Sequence, residues 1–301
     1  MPAWVERTVE QRIVEAAAVL PSYGGVTGWA AVRWLGAHWF EGGGRAGGER
    51  PVVLATADRS IRPQPGIVTS EERLDPTELQ VSSGLRVTTA LRSVFFEMRY
   101  AASEDEAVRL ADLTAYADLV SRSELLDFAA HNPGWTGIER FRRGARAMDE
   151  NSWSPTETTM RRAWTVLGGL PRPACNRPVF DLTGRHLGTP DLLDPVAGVA
   201  GEYDGAVHLD AAQRWRDEQR DARFRGAGLE VARMLAGDLA DPSAFVRRLR
   251  QAYARAARTP VAERSWTPEL PPWWVPTFTV EQRRALDEAQ RARLLNYRRT
   301  A

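Results

Sequence analysis

The stretch from residue 190 to 205, "PDLLDPVAGVAGEYDG", decides how the chain is read. Two apolar runs flank Asp194-Pro195, a turn-forming pair, so the segment reads as two strands closed into a hairpin. Side chains alternate faces along a strand, so Glu202 and Asp204 point the same way. The hairpin sets Asp191, at the head of the first strand, beside Glu202. Neighbouring carboxylates repel, and a divalent cation is their usual companion. The plainer reading is also available: Glu202 as a strand-edge charge and Asp204-Gly205 as an ordinary turn.

The rest of the composition narrows the classes. A chain of 301 residues suggests about two domains, and 43% hydrophobic with 26% charged residues is a globular balance. There is no lysine, so all 40 basic residues are arginine, and the net charge is only +1. No global basic excess advertises nucleic acid; basic surface has to be local. The single cysteine, Cys175, excludes an internal disulfide and a cysteine-built zinc site. It is expected to be a small buried side chain rather than a nucleophile. The N-terminal "MPAWVERTVEQR" lacks an apolar signal core, and no run reaches the ~18 apolar residues of a membrane span. A cytoplasmic protein with no membrane partner is expected.

Along the chain, residues 8–20 carry a helical stripe of Val9, Ile13, Ala16, Ala17 and Leu20. "TGWAAVRWLG" reads as a second helix, capped by Thr27 and stopped by Gly36. A glycine-rich hairpin with strands "RPVVLAT" and "GIVTS" follows, an order compatible with a winged helix. Only Arg33 is available on that second helix to reach a base, so a helical cap or dimerisation element is the competing reading. Residues 86–148 read as mostly helical. "DENSWSP" at 149–155 marks the boundary. Beyond it the order is a helix at 155–168, strands in "NRPVFDLT", "PDLLDP" and "VAGVAGEYD", a helix at 210–226, a strand in "LEVARML" and a helix at 242–257. The tail holds "WTPELPPWWVPTFT" and then a helix over 279–297. Its tryptophans are read as packing the arm onto the body, with base stacking as the alternative. Three regions result: 1–150, 151–258 and 259–301.

The αβββαβ order with its "PD…EYD" resembles the PD-(D/E)XK, or restriction-endonuclease-like, nucleases. More narrowly, "SPTETTMR…GLPRP…PDLLDP…GEYDGAVH…RDEQRDARFRGAGLEVAR" resembles the small nuclease domains related to very-short-patch repair endonucleases, with their E-x-D-G-x-x-H signature and following D-x-x-R. The resemblance covers roughly residues 152–240. Residues 1–150 loosely resemble the abortive-infection antitoxin family with its winged-helix region. The implied fold class is α/β: a C-terminal αβββαβ core with a mixed sheet flanked by helices, behind a mainly helical, winged-helix-like region.

The resemblance implies that Asp191 and Glu202 are the metal-binding acids, for Mg²⁺ or Mn²⁺. Asp204 stands where many of these nucleases carry lysine, as a further ligand or an orienter of water. His208 matches the histidine after the signature, a candidate general base or acid. Asp217 and Arg220 match the D-x-x-R pair; they read either as Arg220 gripping a phosphate with Asp217 orienting it, or as a surface ion pair. Glu157 reads as N3 of a capping box begun by Ser154, with Pro155 at N1, and also as an acid near the metal. The expected activity is metal-dependent hydrolysis of DNA phosphodiesters in defence or repair. DNA is the expected partner, with a homodimer and a toxin–antitoxin or defence-system partner left open. The alternative is a DNA-binding regulator or antitoxin-like protein on an inactive nuclease fold; RNA as substrate is a third reading.

Overall fold

A computed structural model describes residues 7–43, 47–205, 219–220 and 222–299. The chain divides into two compact units, Met1–Glu150 together with Thr279–Ala301, and Asn151–Phe278. Both combine helices with mixed sheets, so the chain is α/β.

In the first unit, helix starts follow their caps. α1 (Val9–Ala17) begins at Thr8, whose side chain accepts from the Gln11 amide. α2 (Gly28–Trp34) is different. Thr27 holds the cap position without capping, because its hydroxyl accepts from the Thr88 hydroxyl at 2.9 Å. The helix is capped from outside instead: the Trp29 amide donates to buried Glu97 at 2.9 Å, and Arg50 pairs with the other oxygen at 2.8 Å. α3 (Ala90–Tyr100), α4 (Glu104–Tyr116) and α5 (Arg122–His131) start at Thr89, Ser103 and Ser121, each accepting from an amide of the first turn. α6 is Ile138–Ala147.

The strands of this unit correct the sequence reading. β1 is Gly25–Thr27, β2 Val52–Ala55, β3 Ile67–Ser70, β4 Leu79–Ser82 and β5 Leu85–Thr88, in the sheet order β3-β2-β1-β5-β4. The segments read as a hairpin, β2 and β3, pair in parallel, Val52 opposite Ile67 and Ala55 opposite Ser70. A parallel pair needs a crossover and cannot be closed by a tight turn. The hairpin of this unit is β4–β5, where Ser83 and Gly84 both take left-handed φ, +47° and +79°, as a two-residue turn matched to strand twist requires. Trp29, Phe95, Phe141, Leu54 and Val87 share one core between this sheet and the helices.

Residues 279–299 complete the first unit. The expected helix over 279–297 is two short ones, α9 (Val280–Arg284) and α10 (Glu288–Leu294), with Val280 in the core. Three arginines converge on the nearly buried carboxylate of Asp118: Arg283 at 2.7 Å, Arg291 at 2.9 Å and Arg298 at 2.9 Å. Burial alone would raise the Asp118 pKa, but the charges of Arg298 and Arg283 outweigh it and hold the carboxyl below its usual range. The stretch 259–301 is thus shared between the two units.

The second unit opens with α7 (Pro155–Arg162), which widens into a π-helical turn at Ala163–Leu167. Its strands are β6 (Ala174–Cys175), β7 (Val179–Asp181), β8 (His186–Gly188), β9 (Leu192–Asp194), β10 (Val199–Asp204), β11 (Glu230–Leu235) and β12 (Trp266–Thr267), with α8 at Ser243–Ala256. One sheet has the order β11-β10-β9-β6 and the other β12-β7-β8. The segment "NRPVFDLT" therefore does not supply the first strand of the larger sheet. That strand is β6, and β7 leaves to pair with β8 and β12. β6, β9 and β10 pair antiparallel, and β11 joins β10 in parallel. Helical residues 219–220 and 222–226 lie on the connection between β10 and β11. Met160, Trp164, Phe245 and Leu249 pack one face of the larger sheet; Phe224, Leu193 and Ala200 belong to the other core.

The Asp118 hub gives the first test. Asp118→Ala leaves buried Arg283 without its counter-charge and should cost about 3–5 kcal/mol in urea unfolding at pH 7. Because the folded-state pKa is depressed, this contribution is present at neutral pH and fades as pH falls through the carboxylate range, so the gap between wild type and variant should narrow in acid.

Candidate functional site

The chemistry follows from the register of β9 on β10. Asp194 opposes Val199, Leu193 opposes Ala200 and Leu192 opposes Gly201. One step further sets Asp191 opposite Glu202. On the other side, Cys175 opposes Leu192, so the next step sets Asn176 beside Asp191, and the Asn176 amide donates to the Asp191 carbonyl at 2.9 Å. Glu202 in turn opposes Arg233 on β11. One row across the sheet therefore reads Asn176, Asp191, Glu202, Arg233.

Two contacts fix which face Glu202 uses. A Cβ on Gly201 would lie 2.9 Å from the Trp164 ring, so the Gly201 side is filled by α7 and its π turn. Alternation sends Glu202 to the opposite face, with Ala200, where the Phe224 core lies. There Arg220 pairs with Glu202 at 2.9 Å, and the Glu202 side chain is only 7% exposed. The hairpin turn is locked by Asp194, whose carboxylate accepts from the Val196 and Ala197 amides at 3.0 and 2.9 Å and from the Tyr253 hydroxyl at 2.6 Å.

Asp191 is held as the row predicts: its Oδ2 accepts from the Tyr203 amide at 2.7 Å. Glu157 comes from α7. Its amide donates to Ser154 Oγ at 3.2 Å, which is half of the expected capping box. Its carboxylate does not return to the Ser154 amide; it accepts from the Ser154 hydroxyl at 3.0 Å, the Trp153 amide at 2.7 Å and Asn176 Nδ2 at 2.6 Å. Burial, and then the charge of Asp191, push the Glu157 pKa up to about 8. The glutamate is thus both a helix-start residue and an acid within electrostatic reach of Asp191.

Of the residues singled out by sequence, Glu157, Asp191, Glu202 and Arg220 gather at this end of the sheet. Asp204 shares the Glu202 face but lies 3.7 Å from Arg233, at the more open end of β10. Among the described residues no group of three or more His, Cys, Asp or Glu is placed to hold a metal. His208 and Asp217 lie outside the described residues. Cys175 is buried. Sequence reasoning missed Asn176, which ties Glu157 to the strand end and takes left-handed φ of +47°, a conformation asparagine tolerates. Its only local signal is the turn-prone asparagine before "RP".

Among the described residues no helix is long and apolar enough to cross a membrane. Compared with known proteins, the chain matches no family model, no curated protein and no solved structure.

The Arg220–Glu202 pair gives the second test. Arg220→Ala takes the Arg220 guanidinium away from a nearly buried carboxylate and should lower stability by about 1–3 kcal/mol in thermal or urea unfolding. Adding Glu202→Gln should recover part of the loss; a double variant no more stable than Arg220→Ala alone would show that the loss comes from helix packing.

Proposed function

We propose that the second unit is a divalent-metal-dependent endonuclease hydrolysing DNA phosphodiester bonds, with Asp191 and Glu202 as its acids. The observation that supports the reading is the strand register, with Leu192 opposite Gly201: its next step would bring Asp191 and Glu202 across from each other at one end of the β11-β10-β9-β6 sheet. Three antiparallel strands followed by a parallel fourth strand support the αβββαβ reading, with β6 in place of the segment first read as its opening strand.

The donor set suits Mg²⁺ or Mn²⁺ in type. Asp191 and Glu202 offer hard oxygens, and Mg²⁺ is commonly held by one or two carboxylates, with water and substrate phosphate completing the shell. Burial and the charge of Asp191 disfavour the ionised form of Glu157, a repulsion that a cation at Asp191 would relieve. When bound, the metal would acidify a water and offset charge building on the phosphate. The chain's own groups have separate tasks. The Tyr203 amide orients Asp191, Asn176 and the Trp153 amide hold Glu157, and Arg220 offers a guanidinium to a phosphate at the cost of its bond to Glu202.

A second reading has its own support. Glu202 is paired with Arg220 and Asp204 faces Arg233, and there is no lysine to activate water. This arrangement also suits a DNA-binding regulator on an inactive nuclease fold.

Cleavage of supercoiled plasmid and end-labelled duplex separates the two. Mg²⁺- or Mn²⁺-dependent cutting that falls at least about 100-fold in Asp191→Ala and in Glu202→Ala supports the nuclease. Cutting unchanged in both variants removes these residues from the reaction. Tight binding in EDTA with no cutting under any metal supports the regulator.

A further inference from the structure

An aromatic cluster in the second unit has no part in the site above. Phe180 on β7 lies 5.2 Å from Trp274 and 5.8 Å from Trp273, ring centre to ring centre. His186 on β8 lies 5.1 Å from Trp274, and the two indoles are 5.6 Å apart. The Phe180 and Trp273–Trp274 contacts are edge-to-face, at 62–84° between planes. Packing of this kind spends one edge of a ring and leaves a flat face for another partner. Trp274 is half-buried, but Trp273 is 61% exposed.

The cluster adjoins the acids. β8 runs through Thr189 and Pro190 directly into Asp191, and the His186 ring is 3.1 Å from the Thr189 hydroxyl. The backbone of β8 is pressed on Arg220: a Cβ on Gly188 would lie 3.1 Å from Arg220 Cγ, and that guanidinium holds Glu202. Five residues of extended chain span at most ~17 Å. At ~3.4 Å per stacked nucleotide, the cluster lies within about five nucleotides of a phosphate at Asp191.

Charge selects the occupant. Burial first, and then nearby Arg223, lower the His186 pKa, so the imidazole is a neutral ring at pH 7 and the positive charge of this face is carried by arginine. Arg185 is exposed beside it on the β7–β8 turn. A flat exposed indole in a cluster whose His186 has Arg185 next in the chain and Arg223 nearby matches a strand that is anionic along its backbone and planar at its bases. We propose that Trp273 is a stacking platform for an unpaired nucleobase of a DNA strand lying along the Asp191–Glu202 site. The proposal rests on the nuclease reading only for where the strand runs.

The test is binding by the full chain in EDTA, where nothing is cut. Fluorescein-labelled single strands are compared with strands of equal length and charge built from abasic units, for wild type, Trp273→Ala and Trp273→Phe. Trp273→Ala should weaken binding to the base-bearing strand roughly 5- to 100-fold, with Trp273→Phe retaining most of the affinity and no difference on the abasic strand. An unchanged melting temperature for both variants confirms folding. Equal affinity of wild type and Trp273→Ala, an equal loss on the abasic strand, or no binding of any strand overturns the proposal. Base-dependent stacking in a chain that never cuts DNA leaves the platform standing and retires the nuclease. Cutting of unpaired strands that is the same in Trp273→Ala as in wild type, with equal binding, does the reverse.

Discussion

The antiparallel register of Leu192–Asp194 on Val199–Gly201 is the constraint on which the second unit turns. A slip of one residue would carry Glu202 to the face filled by Trp164 and move its carboxylate away from Arg220. Two features prevent the slip. Gly201 presents only hydrogen to the Trp164 ring, and no side chain could replace it there without displacing the indole. Asp194 fastens the turn, with bonds to two backbone amides and to Tyr253, whose hydroxyl also accepts from the Trp164 ring nitrogen at 3.2 Å. The residue that opens the hairpin and the residue that seals the sheet's face are therefore joined through one tyrosine.

With register settled, electrostatics follow from a chain that carries arginine as its only strong cation besides the terminus. Guanidinium groups keep their charge in low-dielectric surroundings and pair with carboxylates through several N–H donors. Glu202 and Asp204 each meet an arginine from a different element, one from the connection helix and one from β11. Glu157 meets none of these in its hydrogen bonds; it relies on a serine, an asparagine and a main-chain amide, and burial and the charge of Asp191 raise its pKa in spite of them.

The hairpin was legible because its signals are local: alternation around Glu202, and Asp-Pro between two apolar runs. The end of α7 was less so, since a π turn at Ala163–Leu167 depends on how Trp164 meets Gly201, far along the chain. The pairing of β2 with β3 was misread for a related reason. Two apolar strands separated by a glycine- and proline-containing loop look alike whether they close as a hairpin or run parallel; pairing partners, here β1 between β2 and β5, decide. Thr27 shows the same limit at one residue: the sequence contains the cap, and a threonine sixty-one positions away takes its hydroxyl. Asn176 and Arg233 enter the site only through cross-strand neighbours, which no spacing within the sequence announces.

The knot of Asp118 with Arg283, Arg291 and Arg298 carries a consequence for biogenesis. The first unit is written in two pieces of chain, separated by all of the second. During synthesis, the segment 151–278 has every residue it needs before the closing piece of its predecessor has been translated. A ribosome therefore delivers the later unit complete while the earlier one still has Val280 missing from its core, and domain order in the gene is the reverse of order of completion.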